Sequence, residues 1–216
     1  MLYIFDWDGT ISNSAEKIIR CMQQAAVSAG VAPRDDAAIK NIIGLGLPEA
    51  IRTLYPSISA EAADAVRDGY SEHFISADVT PSPFFPGAAE AMTQLRDQGH
   101  SLAVATGKSR RGLDRVLGRL GMDTFFHDSR CADETASKPN PKMLWELLAA
   151  FDLSPTEAVM IGDTEYDMAM AHAIGMPRIA VSFGAHHIDR LKAYQPELCI
   201  DNFADILNWQ PKKGEP

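Results

Sequence analysis

The sequence is short of three things. Cysteine is scarce: Cys21, Cys131 and Cys199 are the only three, far apart and odd in number. They frame neither a disulfide scaffold nor a CxxC metal site. The expectation is three ordinary thiols in a reducing, cytoplasmic setting. Long apolar runs are missing, and none approaches the ~20 residues of a membrane helix. Met1-Leu-Tyr-Ile-Phe5 meets Asp6 and Asp8 at once, without the basic stretch and small-residue cleavage site of a signal peptide. Positive charge is in deficit: 20 Lys+Arg against 29 Asp+Glu give a formal net charge of −9. Such a chain offers no dense basic patch to nucleic acid or anionic lipid. It is also an awkward start for a protein that must attract an anion.

What the chain does have is regular alternation. Hydrophobic residues make up 46%, which fits a soluble folded chain and not a disordered one. The length suits one domain of about 150 residues with a smaller piece attached. Leu2–Phe5, Leu102–Ala105, Ala158–Ile161 and Ile179–Val181 are short and continuously apolar, which predicts buried strands of a parallel sheet. Two further strands are expected near Phe125–His127 and Leu198–Ile200. Between them run amphipathic helices. Leu113, Val116, Leu117 and Leu120 share one face; Met143, Leu144, Leu147, Leu148 and Phe151 share another. Asn140-Pro141 should start the second of these, with proline at the first helical position. Ser154-Pro-Thr-Glu157 has the form of a capping box and should start one more short helix. The pattern is that of a doubly wound, Rossmann-like α/β domain with a parallel sheet.

Residues 14–79 depart from it. Ala15, Ile18, Ile19, Met22, Ala25, Ala26 and Ala29 form a helical stripe, and helical patterns follow near 35–43, 48–55 and 60–76. In the last of these Ala62, Val66, Tyr70 and Phe74 recur every four residues. Thr80-Pro-Ser-Pro-Phe-Phe-Pro-Gly87 then resists helix. The expectation is a small helical domain, 14–79, inserted after the first strand of a core formed by 1–13 and 80–216. Linkers are expected near Ile11–Asn13 and Asp78–Pro86, and a frayed tail at Pro211–Pro216.

Ligands of an open parallel sheet bind beyond the carboxyl ends of its strands. Asp6-Trp-Asp8-Gly-Thr10 follows the first strand, Thr106-Gly-Lys108 the second long one, and Gly162-Asp163-Thr-Glu-Tyr-Asp167 the third. Asp6, Asp8, Asp163 and Asp167 would thus bring four carboxylates to one edge, an arrangement that needs a cation. Oxygen ligands without His or Cys favour a hard ion, Mg²⁺ above all. Thr106 and Gly107 form an anion seat at a helix start, and Lys138 is held by the prolines around it. A carboxylate-bound cation, an anion seat and a fixed lysine together describe phosphoryl transfer.

These segments resemble, in order and spacing, the four motifs of the haloacid dehalogenase-like hydrolase superfamily, and most nearly its phosphoglycolate phosphatase-like members. The resemblance spans essentially the whole chain, with the helical insert where that family places its C1-type cap. It implies Asp6 as nucleophile forming an aspartyl-phosphate, and Asp8 as acid/base with its carbonyl also on Mg²⁺. It implies Asp163 as a metal ligand and Asp167 as a ligand through water or a supporting partner. Thr106 and Gly107 would hold the phosphoryl group and Lys138 would balance charge. Trp7 and Asn13 depart mildly from the family pattern. Asp8 points to a phosphate ester or anhydride, since members that cleave carbon–halogen bonds lack it.

By the same resemblance Gly44, Gly46 and nearby Arg52 would line the pocket from the cap, while Lys108, which directly follows the phosphate seat, is expected to meet the substrate. The implied partner is a small phosphorylated metabolite, with no nucleic acid or membrane, and a monomer or homodimer. A phosphomutase, a pyrophosphatase or a nucleotidase on the same core stays open, as does an inactive binding scaffold. Other motifs carry less. Gly107-Lys108-Ser109 is no P-loop, because Leu102 stands where its first glycine belongs. Gly44-Leu-Gly46 lacks the third glycine and preceding strand of a dinucleotide site. Arg111, Arg115 and Arg119, with Arg110, read as a solvated helix face. His186-His187 do not read as a zinc site, nor His186 as part of the active-site rim. Cys21 and Met22 read as packing.

Overall fold

The computed structural model describes residues 1–77 and 80–210. A six-stranded, all-parallel sheet forms its centre. The strands are β1 (Leu2–Phe5), β2 (Ser101–Thr106), β3 (Asp128–Cys131), β4 (Ala158–Gly162), β5 (Arg178–Val181) and β6 (Leu198–Ile200). Their spatial order is β3-β2-β1-β4-β5-β6. The order reverses direction between β1 and β4, and a doubly wound sheet opens its ligand crevice at that point.

Alternation of side chains across the pleat makes two cores from these strands. Tyr3, Phe5, Leu102, Val104, Val159 and Ile161 pack on one face against α5 (Ala88–Asp97), α6 (Arg110–Leu120) and a 3₁₀ turn at Phe203–Asn208. Leu2, Ile4, Ala103, Ala105, Ala158 and Met160 pack on the other against α7 (Lys142–Phe151) and α8 (Glu165–Ala173). A short helix, α9 (Ile188–Lys192), follows β5.

Between β1 and α5 the chain builds α1 (Ala15–Ser28), α2 (Asp36–Lys40), α3 (Leu47–Leu54) and α4 (Ala60–Ala77). These helices have a core of their own around Ile18, Met22, Ala25, Ile39, Ile51 and Val66. α4 packs closely on α1 at Gly69, where a Cβ would be in van der Waals contact with Ala25. The segments leading into and out of these helices run side by side. Asn13 N donates to Pro83 O (2.8 Å) and Phe85 N to Ile11 O (2.9 Å). Residues 78 and 79 of the expected return linker, and the expected frayed tail 211–216, lie outside the described residues.

Three local expectations are corrected. The third strand is not Phe125–His127 but Asp128–Cys131. Phe125 instead stacks beneath Arg96, and Phe126 meets Trp7 edge-on. Pro141 is the N-cap of α7 and not its first helical residue, with Asn140 Oδ1 accepting from Lys142 N (3.0 Å). Ser154–Glu157 starts only a single 3₁₀ turn, Pro155–Glu157. In it the Glu157 carboxylate accepts from both Ser154 N (2.9 Å) and Ser154 Oγ (2.7 Å).

Candidate active site

β1 and β4 flank the crevice, and each is followed directly by an aspartate. Asp6 N donates to Ile161 O (2.9 Å), extending the ladder by one residue beyond β1. The chain then turns sharply: Ile11 N and Ser12 N both donate to Trp7 O (3.0 and 2.9 Å). Gly9 makes the turn at φ +90°, where a Cβ would lie 2.1 Å from Asp163 Oδ2. Glycine is required here both for its backbone angle and for the close approach. The turn delivers Thr10, whose Oγ1 donates to Asp163 Oδ1 (2.8 Å).

Asp163 follows β4, and its Oδ2 accepts from Ala185 N (2.7 Å) in the loop after β5. Gly184 in that loop has no room for a Cβ beside Asp163. Asp167 is positioned by helix capping. Thr164 and Asp167 form a reciprocal capping box at the start of α8, with Asp167 Oδ2 accepting from Thr164 N (3.1 Å) and Thr164 Oγ1 (2.7 Å). This leaves Asp167 Oδ1 for Lys138, whose Nζ donates to it (2.6 Å) and to Asp6 Oδ1 (2.5 Å). Asp6, Lys138, Asp163 and Asp167 are all at most 1% exposed.

Oxygen atoms of Asp6, Asp163 and Asp167 lie within 4.8 Å of one another. Burial, then the charges of Asp167 and Asp163, push the Asp6 carboxyl well above the ordinary carboxylate range, with Lys138 opposing. Burial, followed by Asp167, pushes Asp163 up to about 7. Burial works against the Lys138 ammonium too, but Asp167 and Asp6 hold its proton more tightly than on an ordinary lysine. Two buried carboxylates with raised affinity for protons are short of positive charge. Asp6 Oδ2 sharpens the point: among the described residues it is the one buried side-chain polar atom with no hydrogen-bond partner. An orphaned carboxylate oxygen in an all-oxygen donor set suits a hard divalent cation, so the residues fit Mg²⁺.

Asp8 does not join this cluster, a correction to the expectation of four carboxylates together. Its Oδ1 accepts from Ser14 Oγ (2.6 Å), and its Oδ2 pairs with Lys108 Nζ (2.8 Å). The cause is the turn at Trp7 and Gly9, which carries the chain out of the strand direction immediately after Asp6. Asp6 and Asp8 both line a cavity of about 280 Å³, together with Thr106, Gly107 and Lys108. Thr106 is the last residue of β2, and its Oγ1 accepts from Lys108 N (3.2 Å). Gly107 has no room for a side chain, because a Cβ would sit 2.5 Å from Leu45 O and 2.6 Å from Gly44 O.

The remaining expected residues are placed as follows. Gly44 lines the cavity at φ +101°. Gly46 lies outside the lining; it caps α3, and its N–H donates to Ser137 Oγ (2.8 Å). Arg52 is also outside, with a 66% exposed side chain paired to Glu49. It sits in the last turn of α3, whose buried face is Ala50, Ile51 and Leu54. Arg115, expected on a solvated face, lines the cavity instead, and Met22 lines it as well as packing in the helical core as expected. His186 is buried away from the rim, where its Nδ1 accepts from Glu165 N (3.2 Å) and its Nε2 therefore donates to Asn41 O (3.1 Å). Tyr166 Oη donates to the same carbonyl (2.8 Å), and Arg190 Nη1 to Asn41 Oδ1 (2.7 Å). This polar latch ties the end of α2 to the sheet domain.

Several residues escaped the sequence reading. Thr10 and Ser14, which grip Asp163 and Asp8, lie in or beside the first motif and could have been found there as hydroxyls flanking carboxylates. Tyr70 and Phe74 were visible only as a helical stripe, yet both line the cavity. Burial, followed by the charge of Asp8, raises the Tyr70 hydroxyl well above its usual value.

Comparison with known proteins bears on the family and the fold. The model of the haloacid dehalogenase-like hydrolase family matches residues 3–181. The chain is 31% identical over 210 residues to "Probable phosphatase IndB" of Dickeya dadantii, covering 95% of this chain and 91% of that protein. It is 26% identical over 208 residues to phosphoglycolate phosphatase of Pectobacterium atrosepticum, covering 94% and 89%. The crystal structure of a predicted phosphoglycolate phosphatase from Haemophilus somnus superposes with a TM-score of 0.87 at 22% identity, covering 96% of each chain. A hydrolase from Pseudomonas syringae superposes with a TM-score of 0.86 at 21% identity, covering 95% of each. The match over most of the sequence shows that the chain belongs to the haloacid dehalogenase-like hydrolase family.

Proposed function

We propose that the chain is a Mg²⁺-dependent phosphatase of a small phosphorylated metabolite, with Asp6 as its nucleophile. The observation that carries the reading is Asp6 Oδ2. It is a buried, unpartnered carboxylate oxygen in a residue that also lines the cavity. Lys138 holds the other oxygen of Asp6 and so fixes the carboxylate for attack. Thr106 and the backbone N–H groups that follow it receive the phosphoryl oxygens.

In the first step Asp6 attacks phosphorus and the bond to the leaving oxygen breaks. Asp8 protonates that oxygen as it departs. In the second step Asp8 takes a proton from water, which attacks the aspartyl-phosphate and returns Asp6 and free phosphate. Ser14 and Lys108 hold Asp8 at the cavity wall for both transfers. Asp6 and Asp163, with the carbonyl of Asp8 and with Asp167 behind them, would hold Mg²⁺. That ion supplies charge that neutralises the cluster and polarises the phosphoryl group.

Residues 14–79 serve as a cap in this reading, a role supported by their separate core and by the contact of Gly44 and Leu45 with Gly107. Closure of such a cap excludes water from the reacting group. The charge of −9 favours a small metabolite over nucleic acid. Among the described residues no helix is long and apolar enough to cross a membrane. We place the enzyme in the cytoplasm, as a monomer or homodimer.

The test is release of phosphate from a panel of phosphoglycolate, sugar phosphates, aryl phosphates, nucleotides and pyrophosphate, with and without Mg²⁺. Hydrolysis of at least one monoester, lost on chelation, is the expected result. A panel left untouched in the presence of Mg²⁺ sinks the reading.

A further inference from the structure

The cavity lining is of two kinds. Asp6, Thr106 and Gly107 supply polar groups to it. Ile18, Met22, Ile42, Ile43, Tyr70 and Phe74 contribute to the wall. Its volume, about 280 Å³, is near the ~300 Å³ at which sites for organic ligands begin. A two-carbon phosphorylated acid would leave most of this wall facing water. A wall of that kind gains binding energy only from a substrate with apolar surface of its own.

Two cations line the same cavity, Lys108 and Arg115. Lys108 is already engaged, by Asp8 at 2.8 Å and by the Phe74 ring at 4.8 Å. Arg115 is different. It is half-buried on α6, and among the described residues it makes no hydrogen bond or ion pair. Arg110, a turn earlier on the same helix, shows what a satisfied arginine looks like here. It bonds Asp114, Ser129 and both oxygens of Glu134. The acidic groups that line the cavity beside Asp6 and Asp8 are committed elsewhere: Glu49 pairs with Arg52, and Asp133 accepts from Arg110 N. A guanidinium with five donors, partly removed from water and unpaired, lacks an anion.

The position of Arg115 sets where that anion lies. Ser109, Gly112 and Arg115 line the cavity from successive turns of one helix face. Arg115 stands six residues beyond the helix cap Ser109, about 9 Å along the helix axis. Arg115 thus enters the cavity lining from a later turn than the helix start at which the phosphoryl group is held.

We infer that the substrate is an organic phosphate monoester with an apolar body and a second anionic group at its far end, and that Arg115 selects that group. The inference rests on the phosphatase reading of the same site. A carboxylate and a second phosphate share the chemistry; a guanidinium binds either through paired hydrogen bonds.

The experiment compares phenyl phosphate, 4-carboxyphenyl phosphate, 4-phosphonophenyl phosphate and phosphoglycolate in wild type, Arg115→Lys and Arg115→Ala. Wild type should favour the better of the two para-substituted anions over phenyl phosphate by at least about tenfold in kcat/KM, mainly through KM. Which of the two wins distinguishes carboxylate from phosphate. In Arg115→Ala that ratio should collapse toward one, with Arg115→Lys between. A wild-type ratio near one, a ratio preserved in Arg115→Ala, or phosphoglycolate hydrolysed faster than every aryl ester would overturn the inference. Calorimetry with benzylphosphonate and 4-carboxybenzylphosphonate, in Mg²⁺, reads the same selection without turnover. Tighter binding of the carboxylated ligand, lost in Arg115→Ala, supports the inference even if no ester is hydrolysed, in which case only the phosphatase reading fails. Equal binding of the two phosphonates by wild type counts against it.

Discussion

The edge of the sheet and the helical wall opposite it enclose one cavity in contrasting ways. At the edge, every carboxylate oxygen of Asp163 and Asp167 has a named partner, and Gly9, Gly162 and Gly184 are each too close to these aspartates to carry a side chain. Position there is fixed from several directions at once, and among the described residues the single unpartnered buried side-chain polar atom is Asp6 Oδ2. On the wall, Ile18, Ile42, Tyr70 and Phe74 fill space without being held by hydrogen bonds between their side chains. Apolar walls tolerate exchange of one side chain for another of similar volume. A buried polar cluster does not, because each lost partner strands a group. Reaction chemistry and substrate choice are thus entrusted to parts of the chain with different tolerance for change.

That contrast can be broken most forcefully at Lys138. Lys138→Ala would leave Asp6 and Asp167 facing each other without a cation, at a cost of about 3–5 kcal/mol in the metal-free protein. Turnover should fall by about a thousandfold or more as Asp6 loses its anchor. Denaturant unfolding and steady-state rates check the two effects together. A variant as stable and active as wild type would mean that the edge is not the tightly coupled unit described.

The junction of the two regions comes next. Gly107→Ala would drive a methyl group into the carbonyls of Gly44 and Leu45. Neither side can yield without moving the wall off the edge. The expected result is a rise in KM and a fall in kcat of about tenfold each, with a melting temperature close to wild type. Unchanged kinetics would show that the wall does not need to meet Gly107.

On the far side, the latch at Asn41 is expected to matter less. Arg190→Ala removes one hydrogen bond to Asn41 Oδ1 and a bidentate pair with Glu165. Tyr166 and His186 still hold the Asn41 carbonyl. A loss of about 1 kcal/mol and a KM change of a few fold would fit. A loss as large as that of Lys138→Ala would place the structural weight on the latch instead of the edge.

The smallest effect sharpens the electrostatics. The metal-free folded protein holds a proton at Asp163 up to about pH 7, against a usual value of 3.8. Between these values the folded state binds more protons than the unfolded chain, so its stability falls as pH rises through that window. Mg²⁺ binds the deprotonated carboxylates and should offset the loss. The gain in melting temperature on adding Mg²⁺ should therefore be larger at pH 8 than at pH 5, by a few degrees. Thermal unfolding in Mg²⁺ and in chelator at both pH values decides it, and an equal gain at both would argue against a cation at these carboxylates.

The same contrast explains what the sequence made legible. β1, β2, β4 and β5 are buried on both faces, so their residues form continuous apolar runs that reveal them. β3 is an edge strand, partly exposed and polar as Asp128-Ser-Arg-Cys131, and the apolar Phe125-Phe126 beside it drew the assignment three residues too early. The places of Asp6, Asp163, Thr106 and Lys138 were readable because each ends a strand, follows one or precedes a helix at a fixed spacing. The direction of Asp8 was not, since the Gly9 turn redirects the backbone within two residues. Periodicity placed Tyr70 and Phe74 on the buried stripe of α4 but could not tell a core from a cavity wall. Arg115 was hidden by its company: Arg111 and Arg119 share its spacing, and only the placement of the helices α1–α4 over α6 separates it from them.

Asp6 itself carries the central claim, and trapping its phosphorylated form tests it most directly. The protein is mixed with Mg²⁺ and a hydrolysed monoester, quenched within one turnover, reduced with borohydride and mapped by mass spectrometry. An acyl phosphate reduces to an alcohol, so a phosphorylated aspartate is read out as homoserine. The account predicts homoserine at position 6 alone, absent without substrate and absent in Asp6→Asn. Homoserine at position 8 or 163, or none while phosphate is being released, would contradict it.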